Sequence, residues 1–393
     1  MDLKRQSVKK KETITYINSR ILIIGINARN ILGSKMEGFG HYSYELISRI
    51  VKAHPEHSFV LFFDRQVDPT YVFPNHVKTV VLFPPTRHPI LWVFWFEFSL
   101  NRALKKHQID LFWTPDGFCS LRTKVPQMAT IHDLNFEHHP KDLPKLVSLY
   151  FRFFFPKFAR KANHLLTVSN YSKNDLVETY GIPKHKISVV YNGISDEFRP
   201  LTPDQIQATR QQYASNKPYF LFVGSLHPRK NVRRLIEAFS IFCASNDEID
   251  LVIVGNAMWK DELFQLTEEQ QNRVHFLGHL STAELVKIMG AAYALSYVPY
   301  FEGFGIPLVE AMRCGVPIVS ANTTCLPEIA GDAAIYCDPF SVNDIVAQLK
   351  EIAEDKVLYK QLSQNSSERS HQFSWDTAAE QVWEILSKNL VVK

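Results

Sequence analysis

Short, continuous apolar runs alternate along the chain with stretches in which apolar residues return at helical spacing. Residues 20–27 (RILIIGIN), 58–63 (SFVLFF) and 219–224 (YFLFVG) are such runs. A run that is apolar at every position suits a strand buried on both faces, as in a parallel sheet between two layers of helices. The pattern therefore predicts an α/β protein built on parallel sheets.

The strand–loop–helix pattern occurs twice, which predicts two domains. A polar linker at 199–217 separates the two halves, and 393 residues exceed the usual size of one domain. A charged helix is predicted at 260–271 in the second half. We expect four parts, namely a basic tail, an N-terminal Rossmann-like domain, a C-terminal Rossmann-like domain and a closing helix, at residues 1–19, 20–198, 199–373 and 374–393.

Composition and charge narrow the class of protein. Hydrophobic residues make up 46% of the chain, which is enough for ordinary buried cores, and the formal net charge is only +4. A charge this small does not indicate a nucleic-acid partner. The five cysteines are scattered and form no C-x-x-C pair, which favours reduced thiols and a cytoplasmic location.

Two segments leave a peripheral contact with a membrane open. No stretch reaches the ~20 apolar residues that a spanning helix needs, and no run of signal-peptide type follows the N-terminus. The basic tail at 1–19 is expected to be solvated, and the aromatic, basic stretch at 146–162 is expected to pack on a sheet. Both compositions also suit an anionic membrane surface.

The most informative stretch of the chain follows an apolar strand predicted at 292–298. The strand leads into the loop Glu302-Gly303-Phe304-Gly305, and Pro307 then suits the start of a helix at 308–313. Glycines allow a backbone to approach a ligand closely. The free N–H groups at a helix start favour an anion such as a phosphate.

Two carboxylates, Glu302 and Glu310, flank this phosphate-favouring loop. A carboxylate repels phosphate, but it accepts hydrogen bonds from two neighbouring hydroxyl groups. A ligand that satisfies both features carries phosphate between hydroxyl-rich rings. This description fits a nucleotide-sugar.

Glu302 and Glu310 within FEGFGIPLVEAM, with GVPIVSANTTCLPEIAGDAAIYCDP downstream, resemble the E-x7-E region of retaining glycosyltransferases of the GT-B type, family 4 (group 1). The resemblance covers about residues 20–387 and is densest in the second half. It implies two Rossmann-like, doubly wound domains that face each other across a cleft. The nucleotide-sugar would lie mainly on the second domain, the acceptor would enter from the first, and the last helix would cross back to the first.

The resemblance also implies roles for single residues. Glu302 would bind hydroxyls of the transferred sugar, and His132, at the end of a predicted strand, would lie on the sugar's other side; these are the expected catalytic residues. Glu310 would hold the ribose, and Arg229 and Lys230 the diphosphate, although many relatives carry an arginine at the position of Ser225. The remaining expected donor contacts are Gly38, Phe276, Phe304, Gly305, Leu308 and Val309.

The residues by themselves leave plainer interpretations open for three of these features. Gly38 with Gly40 also fits an ordinary turn between a strand and a helix predicted to begin at about His41. His132 also fits a structural histidine, and Arg229 with Lys230 also fits a solvated basic turn.

No metal or cofactor is expected. The D-x-D motif of metal-dependent glycosyltransferases does not appear in the sequence. Two fixed cations and a helix start can instead offset the charge that develops on a leaving diphosphate.

The predicted function is transfer of a hexose, with retention of configuration, from a nucleotide-diphosphate sugar to a glycan or lipid-linked acceptor in surface-polysaccharide synthesis. The PRKN loop (228–231) and the TIHDL segment (130–134) most resemble bacterial mannosyl- or rhamnosyl-transferring members, which favours GDP-mannose as donor. The alternative is a non-catalytic nucleotide-sugar-binding protein or a scaffold within a polysaccharide-assembly complex.

Overall fold

The computed structural model describes residues 21–33, 38–256 and 272–390. The basic tail predicted at 1–19 and the charged helix predicted at 260–271 lie outside the described residues. Thirteen strands occur in the described part of the chain. They are β1 (Ile23–Asn27), β2 (Ser58–Phe63), β3 (Val77–Val81), β4 (Leu111–Thr114), β5 (Gln127–Thr130), β6 (His164–Thr167), β7 (Ile187–Val189), β8 (Tyr219–Val223), β9 (Asp250–Val254), β10 (Val274–Gly278), β11 (Ala294–Tyr297), β12 (Ile318–Ala321) and β13 (Ala334–Cys337).

The same described ranges contain fourteen α-helices, with a π-helix at Trp95–Leu100 between the second and the third. They are α1 (Gly38–Ala53), α2 (Pro89–Phe94), α3 (Asn101–Lys106), α4 (Asn135–His138), α5 (Lys145–Lys161), α6 (Asn170–Tyr180), α7 (Pro203–Tyr213), α8 (Val232–Cys243), α9 (Thr282–Ala291), α10 (Ile306–Arg313), α11 (Leu326–Ala330), α12 (Val342–Glu354), α13 (Lys356–Ser370) and α14 (Trp375–Leu390).

The strands form two parallel sheets. The first has seven strands in the order β3-β2-β1-β4-β5-β6-β7, and the second has six in the order β10-β9-β8-β11-β12-β13. In both sheets the chain first builds outward from its first strand and then reverses, which is the doubly wound Rossmann arrangement. The predicted α/β class with two Rossmann-like sheets is confirmed.

The continuous apolar runs form the central strands because helices cover both faces of each sheet. All five residues of β8 and all five of β9 are buried. The edge strand β3 differs, since none of its five residues is fully buried and three are exposed. Because these strands are parallel, their carboxyl ends, and the loops that follow them, lie at one edge of the sheet.

The reversal point of each sheet lies between its first and fourth strands, β1 and β4 in the first sheet and β8 and β11 in the second. In open α/β sheets a crevice forms at this point, outside the carboxyl ends of the strands, and ligands bind there. The Arg229-Lys230 turn follows β8, and the Glu302 loop follows β11. Two segments that are distant in sequence are thereby brought to the same crevice.

The carboxyl edges of the two sheets face each other. A Cβ added at Gly303, after β11, would lie only 2.5 Å from the carbonyl oxygen of His132, after β5. Ser169, after β6, donates a hydrogen bond of 2.8 Å to the carbonyl oxygen of Gly303. Glycine at 303 therefore permits the close approach of the two loops.

Glu328 fixes the two domains to each other at a second place. Its carboxylate accepts hydrogen bonds from the backbone N–H groups of Asn170 and Tyr171, at 2.7 and 2.9 Å, and from the Tyr191 hydroxyl at 2.8 Å. The partial positive charge at the start of α6 favours a carboxylate there. A side chain of the second domain thus caps a helix of the first.

The closing helix α14 lies against helix α1 of the first domain. Arg49 pairs with Asp376 at 2.6 Å, and the Trp383 ring stacks on His54 with centroids 3.9 Å apart. The last helix of the chain therefore returns to the first domain, as the resemblance implies.

One local prediction needs correction. Helix α1 begins at Gly38, so Gly38 and Gly40 lie in its first turn and not in a loop before about His41. The polar linker at 199–217 contains helix α7, which begins at a capping box formed by Thr202 and Gln205. Helix α7 packs on the second domain, where Arg210 donates a hydrogen bond of 3.0 Å to the carbonyl oxygen of Ala291.

The aromatic, basic stretch packs on the first sheet as expected, but only along one side. Tyr150, Phe155 and Phe158 of α5 are buried, whereas Phe153 is 56% exposed. No helix in the described residues is both long enough and apolar enough to cross a membrane.

Candidate active site

Three charged side chains meet at the crevice of the second sheet. The Glu302 carboxylate lies 2.7 Å from Nη1 of Arg229 and 2.5 Å from Nζ of Lys230. Glu302 and Lys230 are only 6% and 8% exposed. A solvated basic turn is therefore excluded for Lys230, and the structure brings together the residues expected to hold the diphosphate and the sugar.

The turn that carries Arg229 and Lys230 is held in place by hydrogen bonds of the neighbouring Asn231. Arg229 and Lys230 lie in a short 3₁₀ turn that ends at Asn231, whose backbone is left-handed with φ of 61°. The Asn231 amide donates to the carbonyl oxygens of Val298 and Pro339, at 2.9 and 2.7 Å. The turn after β8 is thus tied directly to the end of β11.

The electrostatic state of this cluster follows from burial and charge. Burial alone would raise the pKa of Glu302, but the adjacent Arg229 and Lys230 outweigh it and hold that pKa below its ordinary value. Burial, with Arg229 nearby, lowers the pKa of Lys230, although Glu302 opposes this. Glu302 is therefore ionised at neutral pH and neutralises part of the positive charge.

Tyr297 belongs to the same cluster, although no pattern in the sequence pointed to it. Lys230 donates from Nζ to the Tyr297 hydroxyl at 2.5 Å, and Tyr297 is fully buried. Burial, together with the negative charge of Glu302, raises the Tyr297 pKa well above its ordinary value. A neutral phenol at the end of β11 thus helps to orient the ammonium group of Lys230.

The start of α10 supplies backbone groups and not side chains. Gly305 has φ of 88°, a conformation that favours glycine, and the helix begins at Ile306 with Pro307 in its first turn. Leu308 and Val309 are fully buried, so only their backbone N–H groups can serve a ligand. The side chain of Phe304 is also buried and contacts two aromatic rings, those of Tyr191 and Phe373.

Glu310 lies within α10, and its side chain is partly buried. Burial raises the pKa of Glu310 to about 8, because removal of water disfavours the carboxylate. The described part of the chain supplies no ion-pair partner for this group. A partly buried carboxyl group without a cation nearby is suited to exchange hydrogen bonds with hydroxyl groups of a ligand.

Replacement of Glu310 by glutamine is expected to stabilise the free protein at neutral pH. Between pH 4.5 and 8 an unfolded chain ionises Glu310 while the folded protein keeps it protonated, so the wild type loses stability as the pH rises through this range. Glu310→Gln should add on the order of 2 kcal/mol at pH 7 and nothing near pH 4.5. The melting temperature at several pH values measures this, with the exposed Glu380→Gln as control; an equal change at every pH would contradict it.

His132 has a defined protonation state. Its Nε2 lies 2.8 Å from the carbonyl oxygen of Pro115, which can only accept, so Nε2 carries the proton. Burial, against the ring edges of Phe39 and Tyr42, lowers the His132 pKa. The imidazole is therefore neutral, and its free Nδ1 is a hydrogen-bond acceptor.

Two of the expected donor contacts lie away from the Glu302 cluster. Phe276 is on β10, at the outer edge of the second sheet, and is 41% exposed. Its neighbour His275 contacts Asp250 at 2.9 Å, and Arg273 binds the same carboxylate at 2.8 Å. Gly38 is exposed at the start of α1 in the first domain, with open space around its Cα.

A second polar cluster, at the reversal point of the first sheet, was missed by the sequence interpretation. Asp116, after β4, accepts hydrogen bonds from Asn27 and Asn30, at 2.9 and 2.8 Å, and pairs with Arg29 at 2.9 Å. The Arg29 guanidinium lies over the Phe118 ring at 4.0 Å. The signal available in the sequence was a set of polar residues directly after the apolar runs of β1 and β4.

Two doubly wound domains whose reversal points face each other, with a cation–carboxylate cluster in one of them, define the GT-B class of glycosyltransferases. Residues 205–369 match the family model of group 1 glycosyl transferases, and residues 36–198 match that of Glycosyltransferase Family 4. The two models together match most of the chain, which is a glycosyltransferase of the group 1, GT-B type.

Its relatives include mannosyltransferases. The chain is 27% identical over 367 residues to the O-antigen chain mannosyltransferase B of Escherichia coli, which covers 88% of this chain and 94% of the relative. It is 29% identical over 273 residues to the O-antigen chain mannosyltransferase RfbU of Salmonella typhimurium, covering 68% and 71%. These similarities make the chain mannosyltransferase-like.

Solved structures with the same fold extend over nearly the whole chain. A sucrose-phosphate synthase from Thermosynechococcus elongatus matches 95% of this chain and all of its own with a TM-score of 0.74 and 17% identity. The glycosyltransferase WaaG, described as involved in lipopolysaccharide biosynthesis, matches 92% of this chain and 99% of its own with a TM-score of 0.72 and 18% identity. At this identity the likeness concerns the fold.

Proposed function

We propose that the protein is a retaining mannosyltransferase that uses GDP-mannose and extends a glycan or lipid-linked acceptor in surface-polysaccharide synthesis. The observation that carries this proposal is the cluster of Arg229, Lys230 and Glu302 at the crevice of the second sheet. The relatives named O-antigen chain mannosyltransferases support both the sugar and the kind of product.

The proposed donor site explains why a carboxylate lies against two cations. A diphosphate would bind Arg229 and Lys230 and the backbone N–H groups at the start of α10, and its negative charge would replace that of Glu302. Glu302 would then be free to accept hydrogen bonds from hydroxyls of the mannose ring. The HepE protein of Anabaena, which has this fold, was solved with UDP and glucose. Glu310 would hold the ribose, and Phe276 would lie near the base.

The proposed reaction keeps the anomeric configuration. The bond between the sugar's anomeric carbon and the diphosphate oxygen breaks, and its electron pair leaves with the diphosphate, where Arg229 and Lys230 stabilise the charge. The acceptor oxygen bonds to the same face of the sugar, and its proton passes to the departing phosphate. Neutral His132 would accept a hydrogen bond from a sugar hydroxyl at Nδ1 and so orient the ring.

The acceptor would bind on the first domain, next to Asp116 and Arg29. Both residues lie at the reversal point of the first sheet. Asp116 is only 5% exposed, and its negative charge is paired with the guanidinium of Arg29.

We propose a cytoplasmic location, which suits a nucleotide-sugar donor and agrees with the five free cysteines.

Transfer is expected to proceed without a divalent metal. Arg229, Lys230 and the start of α10 provide the positive charge that a metal supplies to the leaving diphosphate in other glycosyltransferases. Activity measured after dialysis against EDTA should equal that of the untreated enzyme. Loss of activity in EDTA that added Mg²⁺ or Mn²⁺ restores would overturn this expectation.

A thermal-shift screen tests the donor. Purified protein would be heated with GDP-mannose, UDP-glucose, UDP-N-acetylglucosamine or dTDP-rhamnose, because a ligand that binds only the folded state raises the melting temperature. GDP-mannose should give the largest shift. In Glu310→Gln the shift, taken against that variant's own melting temperature, should fade.

The chemistry is tested separately, with the selected donor and a glycan acceptor. NMR of the product should show the anomeric configuration of the donor, and free nucleoside diphosphate should form only when acceptor is present. A product of inverted configuration would overturn the retaining mechanism. Donor binding without transfer to any acceptor would favour the non-catalytic alternative.

A further inference from the structure

Two neighbouring helical segments of the first domain expose an unusual number of large apolar side chains. One segment is α2 with the following π-helix, and the other is α5. Each exposed residue leaves about half or more of its side chain in solvent, from 49% to 66%. These six residues, called here the apolar ridges, are Ile90, Phe94 and Phe98 on the first segment and Leu146, Leu149 and Phe153 on the second.

The apolar ridges point to the same side of the molecule. Trp95 and Phe96 of the first segment and Phe155 and Phe158 of α5 are buried in one hydrophobic core on one face of the sheet. The two segments also contact each other, since the Trp92 ring lies 4.9 Å from that of Tyr150. Because both segments bury their inner sides in the same core, their exposed sides face outward together.

The charged side chains that residues 89–106 and 145–161 expose are all positive, although Arg152 pairs with Glu137 of α4 at 3.1 Å. Residues 145–161 contain five Lys and Arg residues, all exposed, and no Asp or Glu. Residues 89–106, which comprise the first segment and the following α3, contain three exposed Lys and Arg residues, all in α3, and one acidic residue, Glu97. Glu97 is buried and accepts hydrogen bonds from the backbone N–H groups of Leu121 and Arg122, at 2.8 and 3.0 Å. No carboxylate of these two segments therefore reaches the surface.

Two cationic side chains, Lys157 of α5 and the nearby Arg122, lie directly against exposed rings. Nζ of Lys157 is 3.1 Å from the ring centre of Phe153, and the guanidinium of Arg122 is 4.6 Å from that of Phe98. Rings that enter an acyl layer, with cations beside them at the level of phosphate groups, match the two parts of a lipid surface. A predominantly positive rim is complementary to an anionic surface.

We propose that the apolar ridges and their cationic rim bind the anionic phospholipid surface of a membrane. This inference rests on the proposed function and adds a partner to it, because a lipid-linked acceptor is presented at such a surface. The ridges lie on the acceptor side of the cleft: the Phe118 ring is 6.1 Å from that of Tyr150 in α5 and also stacks under Arg29 at 4.0 Å. Docking here would bring the Asp116 cluster close to the membrane.

Vesicle flotation of the full chain tests the proposal. The vesicles would be phosphatidylcholine alone or phosphatidylcholine with about one third phosphatidylglycerol. The wild type should bind the anionic vesicles at least tenfold more strongly than the neutral ones, and salt should weaken the binding. The triple variant Phe98→Ser, Leu149→Ser, Phe153→Ser should bind at least tenfold more weakly, and Lys157→Gln should bind less than the wild type.

A matched control removes exposed apolar side chains elsewhere. Ile241→Ser with Val357→Ser changes the second domain, where these residues are 45% and 78% exposed, and should leave vesicle binding unchanged. The triple variant should keep the GDP-mannose shift and a melting temperature close to that of the wild type, since more than half of each of the three residues is already exposed.

Each remaining outcome is decisive. Equal binding by the triple variant and the wild type, or equal binding to neutral and anionic vesicles, would overturn the proposal. A dimer in light scattering that the triple variant converts to a monomer would also overturn it and assign the ridges to a second copy of the chain. Vesicle binding by a protein that shows no donor shift would support the ridges while counting against the proposed function.

Discussion

Replacing Glu302 with glutamine is expected to reduce sugar transfer by roughly a thousandfold while leaving nucleoside diphosphate binding intact or tighter. The carboxylate lies against Arg229 and Lys230, so in the free protein it competes with a diphosphate for the same cations. Glutamine removes the competing charge. It also weakens the contact with sugar hydroxyls, which is expected to matter most as the sugar leaves the diphosphate.

The measurements are kcat and KM for transfer and the Kd for GDP, with Glu380→Gln as a control on the exposed side of α14. Glu302→Gln should lower kcat and lower the Kd for GDP, whereas the control should change neither. A Kd for GDP that rises by tenfold or more would contradict the idea that Glu302 and the diphosphate share the same cations.

Stability gives a second, independent measurement on the same variant. Removing one partner of a buried ion pair costs about 3 to 5 kcal/mol, because Lys230 and Arg229 lose their carboxylate. GDP should restore more stability to Glu302→Gln than it adds to the wild type. The pKa of Glu302 is lowered in the folded protein, so its contribution is complete above the unfolded pKa of about 4.5 and disappears as the pH falls through the folded value.

Replacing Lys230 with alanine should be the most damaging single change to the diphosphate site. Its ammonium group contacts both Glu302 and Tyr297, and the residue is only 8% exposed. In the alanine variant, little water can therefore reach this place to stabilise the charge of the diphosphate instead. We expect kcat/KM to fall by about three to four orders of magnitude, with a larger change in kcat than in KM, because charge on the diphosphate grows as the bond breaks.

Two comparison variants make the Lys230 result specific. Lys287→Ala removes an exposed lysine of α9 and should leave kcat/KM unchanged. Lys230→Arg keeps the charge, but its planar guanidinium is larger than the ammonium group that it would replace at a position only 8% exposed. It should recover only part of the activity. A loss confined to KM in Lys230→Ala would mean that the lysine binds donor without stabilising its departure.

Much of the fold was predictable because the continuous apolar runs along the chain are what a parallel sheet between two layers of helices requires. Strand β2 has the bounds predicted at 58–63, and β8 begins at 219, where the third apolar run was predicted to begin. The start of α1 was not predictable from its glycines. Gly38 and Gly40 resemble a turn when considered alone, but Tyr42 of the same segment packs against His132 and Trp375, and these tertiary contacts favour a helix.

By itself, the sequence determined the fold class, the family and the loop chemistry of Glu302 to Glu310, since these depend on residues that are close in the chain. Only the tertiary structure decided which side chains contact each other in the candidate site. Arg229 and Glu302 are 73 residues apart in sequence, and Asp116 is 87 residues from Arg29. Pairing of that kind depends on which strands become neighbours in a sheet, and burial then sets the pKa of each group; neither quantity exists in a segment before the sheet is formed.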